Sequence, residues 1–512
     1  MSFRDEYTIG YVPGNMLDRI EEFAHFYSEH YGEWSTTAPR SGNVTLSANM
    51  LRKYLDDNSL VFYARLKKDD SLIGYVIAEQ QTVSTDNKMI IWVTQFVVHK
   101  DFRNRMVGFD LLLFVWGLSH AYAWGLVTAN PYAVRALEKA TRRRCDPTVI
   151  NSHLDDLKDF GESHVWYIDS NTAISVSNST AVIDTNFLVD HSDIPEKIEN
   201  VTRDTPWNMG MLPEGHEWLA FVFNEQPMFD YTKSEIEHLL QTSDEITQQA
   251  YGKMQMEKQG WTTHTKEEVD YVINKCSLRI DSKILDVGCG YGRHVIELNN
   301  KGYDAKGVDY SPVLIEKAKE KAKMNGLNEE LFLSFDITSN KLPFKEESFD
   351  CVMCLYDVIG SYADDNKNRA ILKNIYRLLK KGGLALVSVM NMELTFGSAK
   401  HKFVLAESSK PLLDLEPSKT MQNTGEVFNP DYFLIDTEDN VVYRKELFSY
   451  PGDRSIASIV RDKRYYMDTI SSICLEEGFN VLESSYVKAN GWQKTYEYND
   501  KNAKEILLLI QK

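Results

Sequence analysis

The second half of the chain alternates short, continuously apolar runs with longer stretches in which apolar residues return every three or four positions. A run apolar on both faces reads as a strand buried between two layers, and the longer spacing as a helix with one buried stripe. Strands are predicted around 284–287, 305–308, 331–335, 351–355 and 384–389, with helices such as 313–325 and 366–379 between them. Strand–helix alternation predicts an α/β doubly wound parallel sheet, because parallel neighbours need a crossover helix. Two helices, at 233–258 and 266–275, precede the first strand. Shorter β-prone pieces follow the fifth strand over 391–465. An insertion there lies at the carboxyl edge of the sheet, where such folds bind ligands, and is read as a substrate cover.

The first half has another rhythm. A helix is predicted at 17–31, then strands at 60–66 and 73–81 joined by the polar turn 67–71, and a third strand at 90–98. A loop, a helix from 108, a short strand ending at Thr128 and a helix from Pro131 follow, with further strands at 165–168 and 217–223. Antiparallel strands around one central β-loop-α unit predict an α+β fold. The pattern breaks at 229–234, which divides the chain into 1–229 and 230–512, the latter opening with a helical cap over 233–278. A length of 512 residues agrees, since one core rarely serves so long a chain.

Charge and cysteines narrow the class. A net charge of -18 argues against a partner held through phosphates, so nucleic acid is not expected. The apolar stretch 111–127 is short for a membrane span and carries Ser119 and His120, so a buried helix and strand are expected there. The start of the chain lacks the charged-then-apolar layout of a signal peptide. The six cysteines, at 145, 276, 289, 351, 354 and 474, have no disulfide-scaffold spacing. Cys351 and Cys354 form a CxxC, but in a strand they point to opposite faces, so no metal is expected. Together these features predict a reduced, cytoplasmic protein, with its oligomeric state open.

The chemistry concentrates in Ile284-Leu285-Asp286-Val287-Gly288-Cys289-Gly290-Tyr291-Gly292, a buried strand running into a glycine-rich turn that opens a helix. Glycines at alternate positions let the backbone turn sharply and approach a ligand. Asp309 ends the next strand, where a carboxylate can accept hydrogen bonds from ribose hydroxyls. A dinucleotide turn would place its third glycine at 293, which is Arg293. Asp336 ends the third strand, where it can accept from an adenine amine. This set resembles the class I S-adenosylmethionine (SAM) methyltransferases, with a Rossmann-like fold. The resemblance implies that Gly288, Gly290 and Gly292 face the methionine portion and that Asp286 reaches its end. Asp309 would take the ribose, Asp336 the adenine, and Tyr310 would lie beside the purine, with Ile337 and Leu355 also lining the site. Tyr356 and Asp357 end the fourth strand, facing the expected nucleophile, and are the catalytic candidates there. Tyr356-Asp357-Val358-Ile359 departs from the Asn/Asp-Pro-Pro-Tyr motif of nucleic-acid amino-methyltransferases; Asn429-Pro430-Asp431-Tyr432 lies too far downstream to replace it. His264 is read as a capping or core residue, and Met254 and Trp261 as part of a segment closing over the cofactor. Arg444, Arg461 and Arg464 could hold an anionic substrate group.

In the first half, Val97-Val98 leads through Arg103, Arg105 and Met106 to Gly108 at a helix start, where N–H groups can cradle a pyrophosphate. Asn130-Pro131-Tyr132-Ala133 opens the next helix. This pair resembles the GNAT-superfamily acyltransferases, implying that Val97, Val98, Arg103, Arg105, Gly108 and Asn130 hold acetyl-coenzyme A. Met106 replaces the first loop glycine of that family, and Leu137 stands where many members carry an acidic tyrosine, leaving Tyr132 as the substitute acid. The expected function is SAM-dependent methylation of a small amine or hydroxyl compound, fused to N-acetylation of the same or a related metabolite. The alternatives are methylation alone, with the first half serving recognition or dimerisation, and modification of tRNA or another nucleic acid.

Overall fold

The computed structural model describes residues 3–56, 58–83, 88–116, 118–203, 205–253, 262–418, 427–450 and 454–512; Met254 and Trp261 lie outside them. The chain divides into Met1–Ile246 with Ser449–Ala457, and Thr247–Phe448 with Ser458–Lys512. The division falls inside the helix Lys233–Lys253.

The first unit is built on β1 (Tyr7–Pro13), β2 (Ser59–Leu66), β3 (Leu72–Thr82), β4 (Met89–Val98), β5 (Ala123–Thr128), β6 (Ile174–Ser177), β7 (Thr180–Asp184) and β8 (His216–Phe223). Their order across the sheet is β1-β2-β3-β4-β5-β8-β7-β6. All neighbours are antiparallel except β4 and β5. That parallel pair is brief, joining Ile90–Val93 to Ala123–Leu126. Just beyond it, β4 carries a bulge: Ala78 faces Val93 but Ile77 faces Gln95, leaving Thr94 extra. A bulge bends its strand, and here β4 departs from β5 where the extra residue sits. The stretch 111–127 is the buried helix Val107–Trp116 followed by β5. The strand expected at 165–168 is instead a turn after the helix Leu154–His164. Val165 and Ile168 are both buried, but their three-residue spacing suits a turn and not the two-residue repeat of a strand.

The second unit contains β9 (Lys283–Val287), β10 (Asp304–Asp309), β11 (Phe332–Ser334), β12 (Phe349–Cys354) and β13 (Leu379–Met390). It adds β14 (Lys402–Phe403), β15 (Phe433–Asp436), β18 (Asn480–Lys488), β19 (Gly491–Tyr496) and β20 (Glu505–Gln511), with β16 (Val441–Tyr450) up to Phe448 and β17 (Arg454–Lys463) from Ser458. The main sheet runs β11-β10-β9-β12-β13-β20-β18-β19. The five strands from β9 to β13 are parallel, as their periodicity predicts. β20 is antiparallel to both β13 and β18. Leu285 and Val287 bury on one face against the helix Asp365–Leu378, while Ile284 packs on the other among residues of the helices Thr265–Lys275 and Arg293–Asn300. Burial on both sides is why these strands read as unbroken apolar runs. β14 to β17 form a separate sheet within the expected cover. Among the described residues, no helix is long and apolar enough to cross a membrane.

Candidate active site

Successive strand ends converge on one edge of the main sheet. β9 passes into Gly288, Gly290 and Gly292, all left-handed at φ 74°, 55° and 81°. Only glycine adopts that region without cost. Their roles differ. A Cβ on Gly288 would stand 2.2 Å from Val358 Cγ2, and one on Gly292 would stand 2.5 Å from the Phe332 ring. Those two glycines let the turn pack against its own neighbours. A Cβ on Gly290 would meet nothing within 4 Å, so this glycine faces open space.

The acids at the strand ends also divide their work. Asp309 accepts the Gly290 N–H through Oδ2 and the Ser311 N–H through Oδ1, each at 2.9 Å, and so ties the turn to the second strand. Each oxygen keeps a lone pair for a ligand. Burial raises its pKa, against those two N–H bonds. Asp286 is 2% exposed, and among the described residues its Oδ2 has no hydrogen-bond partner; the ring Nδ1 of His294 lies 3.6 Å away. A buried oxygen without a donor carries a desolvation cost that a ligand amine or water could relieve. Asp336 is exposed and starts a turn by accepting the Thr338 N–H at 2.9 Å. Ile337 and Leu355 are buried, and Tyr310 is exposed.

Tyr356 and Asp357 follow β12 with left-handed φ of 59° and 64°. Adjacent residues with side chains in that region are strained, and such strain gathers at working sites. The Tyr356 N–H donates to Ser388 Oγ at 2.8 Å, while its hydroxyl donates to Glu268. Burial, followed by the charges of Glu505 and Glu268, drives the phenol's pKa up. Tyr356 is therefore a committed donor that positions the corner, and it is no base. Asp357 has a buried Oδ1 with no hydrogen-bond partner among the described residues. Burial, then the charge of Asp462, raises its carboxyl well above the usual range, which favours the neutral acid.

Four residues missed by the sequence reading complete the site. Glu268, on the helix Thr265–Lys275, is 2% exposed and holds Arg293 and His294, the latter at 2.8 Å, besides the Tyr356 hydroxyl. Burial alone would raise its pKa, but the His294 hydrogen bond, the Arg293 charge and Tyr356 outweigh it, and the net shift is downward. Glu505 opens β20, opposite Met390 at the end of β13, with the Trp492 indole N–H 3.4 Å away. Burial pushes it up to about 7. The glycine turn gave Arg293 and His294 a visible context, because they follow Gly292 directly. Glu268 and Glu505 had none.

Two of the three cover arginines are held by acids in the interior. Arg464 is fully buried, 2.8 Å from Asp462 and donating to Thr395 Oγ1 at 2.9 Å. Arg444 pairs with the same Asp462 and lies 3.4 Å from Glu446. Buried charges survive only when paired, so these guanidiniums lock the cover internally. Arg461 is half-buried, and its charge lowers the pKa of Tyr443 against the larger upward effect of burial. His264 is exposed at the start of its helix, beside Thr263 Oγ1 at 2.8 Å. Asp431 is exposed and paired with Lys400.

Residues 284–383, which run from β9 into β13, match the family described as a methyltransferase domain. The chain carries a methyltransferase domain, of the class I, SAM-dependent type. The domain resembles the uncharacterized methyltransferase YodH of Bacillus subtilis (strain 168), at 31% identity over 115 residues, or 22% of this chain and 46% of that protein. It also resembles the tRNA (carboxymethyluridine(34)-5-O)-methyltransferase alkbh8 of Xenopus tropicalis, at 30% over 128 residues, or 25% of this chain and 18% of that protein. The solved CcbJ methyltransferase from Streptomyces caelestis is 15% identical, covering 51% of this chain and 97% of that one at a TM-score of 0.39. The chain spans about half the length of the curated relatives it matches. The residues of the methyltransferase domain fit SAM: Gly290 leaves room for it, and the donor-less oxygen of Asp286 suits its amino group.

In the first unit, Asn104 and Met106 are left-handed at φ 59° and 70° just ahead of the helix from Val107. Arg103 donates to the carbonyls of Val98 and His30, and Arg105 lies over the Phe3 ring at 5.2 Å. Val97 is buried, and Gly108 packs under the Phe96 ring. Asn130 caps the helix Pro131–Thr141 by accepting the Tyr132 N–H at 3.0 Å. Tyr132 is 39% exposed, and Leu137 is fully buried.

Proposed function

We propose that the chain methylates the nitrogen of a small amine with SAM, and that its first unit binds acetyl-coenzyme A. The carrying observation is Glu505, a buried carboxyl at the methyltransferase edge whose pKa has been brought near neutrality. A base works best when its pKa lies near the operating pH. SAM would supply an already activated methyl group, so the protein has only to align the acceptor, exclude water and accept one proton. Glu505 suits the proton and Tyr356 the alignment. Asp286, Gly290 and Asp309 would hold the cofactor, with Asp336 and Tyr310 toward its purine.

The acyltransferase reading of the first unit is supported by the parting of β4 from β5 at the Thr94 bulge and by the loop 99–106 leading into a helix start. A helix N-terminus favours a pyrophosphate. Met106 in the loop and the buried Leu137 favour the alternative, a unit that binds without acylating. Mass spectrometry of candidate amines incubated with the protein and both cofactors separates these readings. Methyl and acetyl increments on the amines are expected; a methyl increment alone leaves only the methyltransferase. Transfer to tRNA with none to amines would replace the small-molecule acceptor by a nucleic acid.

Glu505 also gives a stability prediction. Its folded pKa of about 7 exceeds the 4.5 of a free glutamate, so over that window the native protein keeps a proton that the unfolded chain has lost. This residue's contribution therefore declines as pH rises from 4.5 to 7 and stays low above it. Glu505→Gln is expected to abolish that slope and to be more stable than the parent by about 3 kcal/mol at pH 8. Chemical denaturation at several pH values measures it, and an unchanged slope in the variant would rule out the shift.

A further inference from the structure

Trp492 stands at an irregularity in the edge of the main sheet. Lys488 of β18 faces Gly491 of β19, but the preceding Val487 faces Thr495, so Trp492, Gln493 and Lys494 are extra residues on β19. Such bulges re-aim a side chain. β18 lies between β19 and β20, yet the Trp492 indole N–H is 3.4 Å from Glu505 Oε2 at the start of β20. The ring reaches across the intervening strand. Among the described residues, no other hydrogen-bond donor meets that carboxyl. The ring is 2% exposed and touches two tyrosines, Tyr271 edge-on at 5.8 Å and Tyr356 at 5.7 Å. One side chain therefore contacts both the corner at Tyr356 and the carboxyl of Glu505.

Filling the interior asks only for a large apolar ring, whereas a buried indole also needs an acceptor for its N–H. Here the acceptor is Glu505, and a donor to a carboxylate stabilises its charged form. We propose that Trp492 is a positioning residue for Glu505: its indole N–H, carried across β18, fixes the carboxyl at the sheet edge and favours its ionised, proton-accepting form. The catalytic value of this contact rests on the reading of Glu505 as the base; the hold on the carboxyl does not. The other groups that face Glu505 keep their charge state. Glu268 makes it harder to ionise and Arg293 easier, and both stay charged from about pH 5 to pH 9, the first being lowered and the second raised from its ordinary value. Burial keeps the Tyr356 phenol neutral, and Met390 and Val487, the partners of Glu505 in the sheet, carry no charge. Asp357 also feels the Glu505 charge and is raised by burial, so its titration has to be told apart.

Trp492→Phe keeps an aromatic ring and removes the N–H. Chemical denaturation of the full chain from about pH 4 to pH 9 reads the pH at which stability stops falling, about 7 in the parent. In Trp492→Phe that point is expected to move up by about half a unit to one unit, the size of one lost hydrogen bond. Glu505→Gln removes this transition and leaves any that belongs to Asp357. In the parent labelled with 15N-tryptophan, one indole resonance is expected to shift with a midpoint of about 7 and to stand still in Glu505→Gln. An unmoved stability midpoint in Trp492→Phe overturns the proposal. If that variant fails to fold, the resonances decide, and the lack of any titrating indole overturns it. The kcat/KM for methylation at pH 7 is expected to fall about two- to five-fold in Trp492→Phe and to recover near pH 9, because fewer Glu505 carboxyls are ionised at pH 7. A stability midpoint that moves without this change in rate supports the assignment of Trp492 and removes Glu505 as the base.

Discussion

Glu268→Ala is expected to lower the stability of the second unit by about 3–5 kcal/mol, the usual cost of stranding a buried charge. Three groups depend on this carboxylate: the Arg293 guanidinium, the His294 ring and the Tyr356 hydroxyl. All lie at or next to the glycine turn or the β12 corner, so losing it disturbs both walls of the methyltransferase site together. The pH dependence runs opposite to that of Glu505. The folded pKa of Glu268 lies below 4.5, so its contribution is fully present above that value and disappears as pH falls through the folded one. Glu268→Ala should therefore lose most near neutrality and approach the parent in acid. Equilibrium unfolding from about pH 3 to pH 8 reads the difference; a penalty independent of pH would mean that ion pairing is not what Glu268 provides. Two buried carboxyls of the second unit are thus pushed in opposite directions, Glu268 kept charged as a strut and Glu505 raised to about 7.

The second large effect separates folding from binding within the glycine turn. Gly288→Ala is expected to lose about 3–5 kcal/mol of stability, combining a left-handed backbone penalty of about 1–2 kcal/mol with forced repacking against Val358. Gly290→Ala incurs only the backbone part, because its Cβ would enter open space. That space is where SAM is expected, so the loss should appear as at least about ten-fold weaker cofactor affinity in a variant that still folds. Thermal unfolding combined with calorimetry of S-adenosylhomocysteine measures both. Equal behaviour of the two variants would mean that the turn has one role and not two.

The sequence announced what depends on local pattern. The apolar cores of β9, β12 and β13 are legible because both faces of these strands are buried, and the glycine turn is visible because three glycines stand at alternate positions, where a left-handed backbone is least costly. Glu505 was invisible, because β20 reaches the site only by pairing antiparallel beside β13, and direction leaves no mark on an apolar run. Glu268 sits in an ordinary polar helix. Only the fold brings it near Arg293 and His294, 25 and 26 residues further on. The cover arginines misled for the converse reason. Charged residues in a β-prone stretch read as solvent-facing, but Asp462 neutralises two of them within the interior. In the first unit, Val165 and Ile168 suggest a strand because both are apolar, but their three-residue spacing belongs to a turn.

The corner at Tyr356 and Asp357 works like a compressed spring. Each left-handed residue costs about 1–3 kcal/mol, repaid by the neighbours that clamp it. Glycine at Asp357 would relax the backbone and remove a buried carboxyl oxygen that has no hydrogen-bond partner among the described residues, and should make the protein hardier to heat. On the proposed reading it would also free the loop beside which an acceptor is expected to stand. Thermal tolerance and turnover should therefore trade against each other at Asp357.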